Sequence, residues 1–343
     1  MQNKIELHCH FDGSLSERTL SELVMRNYDV LTSEEKVLFA QGLLYKSISA
    51  AECNSLADYL QKFSLPCRLL QDPIAVQIAF ENLGQELADQ GVRYVEIRFA
   101  PQLHSVNVSM AEKLAWEDEI VQAAIRGINK VMMFNNIVIN LILCCMRNLP
   151  DGQEGFLANA RNVQLASKYL NKGVCAIDLA GAEARDATSN FQVFFETARD
   201  FGIPFTIHAG ESGDPRWLVE SIKSAIEFGA TRIGHGVGLM HSEDLREIVR
   251  DRNIAVECCL KSNMDTKAVD SLDAHPIRSL FDYGIKVTLN TDNMTVSNTS
   301  LSNEYLLASS MFSAKEIAKM QSYAFDAAFM TKVQRKQVKR FWV

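Results

Sequence analysis

The chain has 343 residues, which allows one large domain or two medium ones. Apolar residues make up 47% and charged residues 22%, ordinary values for a folded protein, so disorder is excluded as the main state. With 35 Lys and Arg against 42 Asp and Glu the formal net charge is −7, so bulk nucleic-acid binding is not expected and a neutral or cationic small substrate fits better.

Residues 5–8 form the first candidate strand. Residues 15–27 then read as a helix with Ser14 or Ser16 as N-cap, and 33–39, 56–70 and 73–90 as further helices. Seven more candidate strands follow at 92–99, 137–144, 174–179, 204–208, 231–234, 254–258 and 285–290. Amphipathic stretches separate them, such as 218–228, with Leu218, Ile222, Ala225 and Ile226 on one face. Strand then helix, eight times over, predicts an α/β fold, a (β/α)8 TIM-type barrel, with a doubly wound open sheet as runner-up. The helices after the first strand are too many for one crossover and are expected to form a lid over the barrel mouth. No linker or repeat divides the chain, so a single domain over residues 1–343 is expected. The basic stretch with Lys332, Arg335, Lys336, Lys339 and Arg340 reads as the solvated face of a terminal helix.

The eight cysteines include no CxxC pair, and Cys144-Cys145 and Cys258-Cys259 lie in apolar runs. Neighbours in a strand point to opposite faces, so these pairs do not easily bridge and buried free thiols are expected. No basic start followed by an apolar stretch opens the sequence, and no apolar run approaches the ~20 residues of a membrane span. The expectation is a reducing, cytoplasmic setting without membrane association.

Active sites of such barrels are built at the C-terminal strand ends. His8 and His10 end the first candidate strand, His208 the fifth, and His235 follows the sixth; Asp292 follows the eighth. Four of the seven histidines in the chain thus stand at equivalent ends. Residues i and i+2 of a strand share a side, so His8 and His10 can both face the axis while Cys9 points away. Two imidazoles, a third across the barrel and a nearby carboxylate make a zinc-type donor set. The fourth strand ends Asp178-Leu179-Ala180-Gly181 with no lysine to bridge two metals, so one ion is expected, held by His8, His10, His208 and Asp292. A zinc ion so held lowers the pKa of water toward about 7. Glu211, three residues beyond His208, is read as a proton donor with a raised pKa. His235 is either a fifth ligand or a catalytic group, and catalysis is favoured because Asp292 completes the coordination.

Five segments together carry a resemblance: ELHCHFDGSL at 6–15, DLAG at 178–181, HAGE at 208–211, GHG at 234–236 and NTDN at 290–293. In that combination the sequence resembles the adenosine and AMP deaminase branch of the amidohydrolase barrels, over residues 5 to about 300. The resemblance implies one zinc ion and hydrolytic removal of the purine 6-amino group, here from adenosine and deoxyadenosine in purine salvage. His8, His10, His208 and Asp292 match the family's zinc ligands. Glu211 matches the residue that protonates purine N1, and His235 the histidine that orients the attacking water. Asp292 also matches the acceptor of that water's proton. Gly181 matches the glycine whose backbone N–H meets purine N3, and Asp12 the acid that binds a ribose hydroxyl. His10 is placed among the substrate contacts as well. Where the animal-type pattern has two acids, this chain has Asp292-Asn293, and an Asn amide donates to purine N7 without needing protonation. Lys261 stands where a neutral residue is expected. Aminodeoxyfutalosine, adenine and AMP are alternative substrates, AMP less favoured because no Lys/Arg cluster lies beside these sites. An inactive binding barrel is the remaining alternative, and oligomeric state is left open.

Other signals read as bland. His241-Ser242-Glu243 lacks the Pro-Cys-x-x-Cys partner of the other zinc deaminase class, so His241 is expected exposed at a helix start. His104 is expected in a surface loop rather than in the pocket wall, and His275 before Pro276 in a turn. Gly234, Gly236 and Gly238 lack the spacing of a dinucleotide loop. Phe11, Leu15, Leu56, Leu60 and Phe63 are expected in the core, or else walling an apolar pocket under the lid.

Overall fold

Eight parallel strands follow one another in chain order in the computed structural model, which describes residues 3–51, 53–147, 149–150 and 152–341. They are β1 (Lys4–His10), β2 (Val92–Phe99), β3 (Val138–Met146), β4 (Val174–Ala180), β5 (Thr206–Ala209), β6 (Arg232–His235), β7 (Ala255–Cys258) and β8 (Lys286–Leu289). β1 to β4 pair in one run and β5 to β8 in another. Parallel bridges Ile177 to Phe205 and Cys9 to Asp292 join the runs at both seams. Ile177 N donates to Pro204 O (3.1 Å), Asp292 N to His8 O (2.8 Å) and His10 N to Asp292 O (2.7 Å). Strand order, direction and seams make the expected eight-stranded barrel.

Before β2 come α1 (Glu17–Arg26), α2 (Ser33–Ala40), α3 (Leu44–Ser47), α4 (Leu56–Gln61), α5 (Ser64–Leu69) and α6 (Pro73–Asp89). The outer layer continues with α7 (Lys113–Phe134), α8 (Gln153–Tyr169), α9 (Gln192–Asp200), α10 (Pro215–Phe228), α11 (Glu243–Asp251), α12 (Leu260–Asp265) and α13 (Ile277–Asp282). α14 (Leu301–Ala308), α15 (Ala314–Ala327) and α16 (Lys332–Phe341) close the chain. Local chemistry sets the boundaries. Ser16, not Ser14, caps α1 by accepting from Thr19 N, and Asp72 caps α6, which opens on Pro73. The expected single helix over 56–70 is two, α4 and α5. Pro66 has no N–H to donate and its ring would clash with the carbonyl four residues back, so the helix breaks ahead of it and restarts with Pro66 in its first turn.

The apolar core lies between strands and helices. Along β2, Val95, Ile97 and Phe99 join it, while the alternate residues Tyr94, Glu96 and Arg98 are equally buried on the other side. Those alternate residues meet partners across the axis. Arg98 pairs with Asp178 and Glu257 (both 2.8 Å), and Arg232 with Glu257 and Glu96 (both 2.6 Å). The barrel is therefore filled by a buried ion-pair lattice directly beneath the strand ends. One bland histidine reading is corrected. His104 is fully buried against Phe11 and Phe99, and burial lowers its pKa to about 4, so it packs as a neutral ring. The loop after β2 turns inward as a short 3-10 helix, Pro101–His104, which carries the ring under the lid. His275 sits in the expected turn, its N–H donating to Leu272 O at 3.1 Å, and the turn is buried, with His275 Nε2 3.1 Å from Asn263 Oδ1. His241 is exposed before α11, as expected. The eight cysteines are free. No helix among the described residues is long and apolar enough to cross a membrane.

Candidate active site

The end of β1 points His8 and His10 to one side and Cys9 into the core. His208 arrives from β5. Asp292, after β8, is clamped to β1 by its two backbone bonds. His8, His10, His208 and Asp292 each offer one ligand atom, and the four atoms lie within 4.8 Å of one another. His8 Nε2 and His10 Nε2 are each 3.2 Å from Asp292 Oδ1, and His10 Nε2 is 3.1 Å from His208 Nε2. Donors around one tetrahedral zinc lie about 3.3 Å apart, from bond lengths near 2.1 Å. His8 Nε2 is buried without a hydrogen-bond partner, an orphan that a cation at this point would satisfy. The residues present therefore fit a single metal ion.

Carboxylates behind the ring fix which nitrogen faces inward. His8 Nδ1 is 2.7 Å from Glu257 Oε2, and His208 Nδ1 is 2.9 Å from Asp178 Oδ2. Ser262 donates to Asp292 Oδ2 at 2.5 Å. Asn263 Nδ2 donates to His235 Nδ1 at 3.0 Å, while its Oδ1 faces His275. His235 stands beside the four rather than among them, its Nε2 3.7 Å from Glu211 Oε2. His235 and Asp292 both have left-handed backbone, φ 64° and 59°, a strained conformation for a side-chain-bearing residue. Burial, with the Asp292 charge second, pushes the Glu211 carboxyl well above its usual range.

These groups open into one cavity. His10, Asp12, Gly181, His208, Glu211, His235, Asp292 and Asn293 all line it, and His8 is fully buried. Among the described residues no Lys or Arg is in its wall. The five uncertain apolar residues divide: Phe11 and Leu15 are core, whereas Leu56, Leu60 and Phe63 wall the cavity from the lid.

The model of the family described as adenosine deaminase matches residues 3–340. The chain belongs to the adenosine deaminase family. It is similar to an adenosine deaminase of Haemophilus ducreyi, 40% identical over 97% of this chain and 93% of that one. Among solved structures it is similar to an Arabidopsis N6-mAMP deaminase, 27% identical with TM-score 0.83, covering 99% of this chain and 97% of that one. A related Arabidopsis protein complexed with IMP superposes with TM-score 0.81 at 27% identity, over 98% and 95% of the two chains.

For a member of the adenosine deaminase family, the sequence reading overlooked the residues behind the site: Glu257, Ser262, Asn263, Arg98, and Asp178 as an orienting group. A signal existed. Asp178, Glu257 and Arg98 are charges inside strand-like apolar runs, where a charge persists only if paired. Lys261, the unexplained position, turns its ammonium to Asp265. It is Ser262 and Asn263 beside it that reach the site. Asn293 packs on Gly13 so closely that a Cβ there would fall 1.9 Å from Asn293 Oδ1. Gly13 is thus required for Asn293 to face the cavity.

Proposed function

We propose that this chain, as one metal-dependent hydrolase domain, removes the 6-amino group of adenosine and deoxyadenosine, yielding inosine or deoxyinosine and ammonia. The observation that carries this is the Glu211 carboxyl, its pKa raised by burial, facing the cavity beside the four ligand atoms. Three imidazoles and one carboxylate suit zinc. When bound, zinc supplies a Lewis acid that makes water a competent nucleophile near pH 7.

The protein groups do the rest. Purine C6 is a poor electrophile until N1 is protonated, and Glu211 donates that proton. His235 is neutral, because burial holds its pKa well below the usual value, and it orients the water attacking C6. Asp292 takes the water's proton. Asp12 lies in the wall with Oδ1 unpartnered, an acceptor for a ribose hydroxyl. The Gly181 N–H meets purine N3, and the Asn293 amide donates to N7. Water adds to C6, ammonia leaves from it, and the 6-oxo purine remains.

A nucleoside is favoured over a nucleotide because no cation in the wall offers a partner for a 5′-phosphate. The eight free thiols support a cytoplasmic setting. Ammonia release from adenosine, deoxyadenosine, AMP, N6-methyl-AMP and adenine, with elemental analysis of bound metal, tests the reading. The expected outcome is one zinc per chain and the highest kcat/KM on the two nucleosides. Zinc-loaded protein that leaves both untouched overturns it.

A further inference from the structure

The loop that carries Glu211 is held by a side chain outside the cavity wall. Glu183 follows β4 and is 1% exposed. Its carboxylate accepts from Gly210 N (2.7 Å), Glu211 N (2.7 Å) and Ser212 N (3.1 Å), and from the Ser221 hydroxyl of α10. Ser221 Oγ in turn accepts from Gly210 N at 3.1 Å, and the Glu183 carbonyl accepts from Trp217 Nε1 at 3.0 Å.

Three successive backbone N–H groups turned toward one point make an anion cradle. Here the chain supplies the anion itself, from the neighbouring βα loop. Glu211 is the middle residue of the three, so the bonds that orient the cradle also orient its Cα–Cβ bond. The loop has little room to take another path. Gly210 has φ +75°, and a Cβ there would fall 2.4 Å from Ile222 Cδ1. Removing the carboxylate leaves these amides unpaired in a buried place, and they would seek other partners by moving the loop.

We propose that Glu183 is the positioning residue for Glu211: by binding the amides of residues 210–212 it sets where the Glu211 carboxyl meets the purine ring. Glu183 touches no substrate. The assignment rests on Glu211 being the proton donor.

Glu183→Gln tests it. The amide keeps size and one acceptor but turns an NH2 group toward N–H donors. A misplaced donor costs on the order of 10- to 100-fold in rate, so kcat on adenosine falls by that factor while KM moves less than about threefold and bound metal stays at one per chain. The deciding measurement adds Glu183→Gln to Glu211→Gln, with residual turnover followed at high enzyme concentration. If Glu183 acts through Glu211, the double variant is within about twofold of Glu211→Gln alone. Losses that multiply show a general effect on the fold and overturn the assignment. Should Glu183→Gln not fold, Ser221→Ala removes one donor to the same carboxylate. A several-fold loss in kcat that vanishes in the Glu211→Gln background supports the assignment, and no loss overturns it. Wild-type protein inactive on every 6-aminopurine fails the deaminase reading and this assignment with it. Active wild type matched by Glu183→Gln overturns the positioning role alone.

Discussion

Glu211 and Asp292 are two carboxyls in one cavity whose pKa values are driven apart. Burial alone would raise both. The nearby imidazoles of His8, His10 and His235 hold Asp292 well below the usual carboxylate range, whereas burial and the Asp292 charge push Glu211 well above it. Glu211→Gln is expected to leave bound metal unchanged and to lower kcat by about 10²-fold or more, a loss typical of removing one proton-transfer group. Unchanged kcat with full metal would remove Glu211 as the acid. Away from the reacting atoms, Glu304 is buried between Lys261 N (3.3 Å) and Thr299 Oγ1 (2.7 Å), and burial raises its pKa to about 8. A raised carboxyl pKa contributes stability below its unfolded value of 4.5, and that contribution is lost as pH rises through about 8. Glu304→Gln does not titrate. Its Tm should match the parent at pH 5 and exceed it at pH 8.5, by a free energy on the order of 4–5 kcal/mol, from the rise of 4.5 to about 8 at about 1.4 per pKa unit. Calorimetry at the two pH values checks this, and a Tm difference that fails to grow refutes it.

Among the elements, the lid joins site and barrel most directly. α4 is capped by Ser55 and brings Leu56 and Leu60 over the cavity. The Tyr59 hydroxyl lies 2.7 Å from Ser297 Oγ, and Ala50 N donates to Val296 O at 2.7 Å, so the lid is tied to the segment after β8 that carries Asp292 and Asn293. Tyr59→Phe deletes one tie and keeps the ring. It should raise KM for adenosine about fivefold, the equivalent of a ~1 kcal/mol hydrogen bond, with kcat within about twofold. Steady-state kinetics decide. A fall in kcat at constant KM would instead place Tyr59 in the chemical step. The seven strands after the first were legible to within a few residues because each is a short β-branched run between turn signals. β1 was read as residues 5–8 and runs from Lys4 to His10, because Lys4, Cys9 and His10 carry no strand signal of their own and are strand only by pairing with β2 and Asp292.

At the scale of the whole molecule, the ion-pair lattice inside the barrel locks strands that are not neighbours. Arg232 joins β6 to Glu96 of β2 and Glu257 of β7, with its guanidinium over the Phe329 ring at 4.0 Å. Arg232→Leu leaves the buried Glu96 carboxylate without its cation and takes one of two from Glu257, which keeps Arg98, for a loss of about 3–5 kcal/mol visible in denaturant unfolding. A loss below ~1 kcal/mol would show that the lattice does not hold the barrel together. From the sequence alone came the eight-strand alternation, Ser16 as one of two cap candidates for α1, and the set His8, His10, His208, Glu211, His235 and Asp292, but not the helix break at Pro66. Period and spacing along the chain are local properties, and chemistry-bearing residues at strand ends announce themselves there. Only the tertiary structure decided that Glu257 and Asp178 orient the imidazoles, that Ser262 and Asn263 act where Lys261 does not, that His104 is core, and that Glu183 holds the Glu211 loop. The hydrogen-bonded roles depend on partners 27 to 249 residues away, brought together by barrel closure, and no local pattern encodes which buried charge meets which.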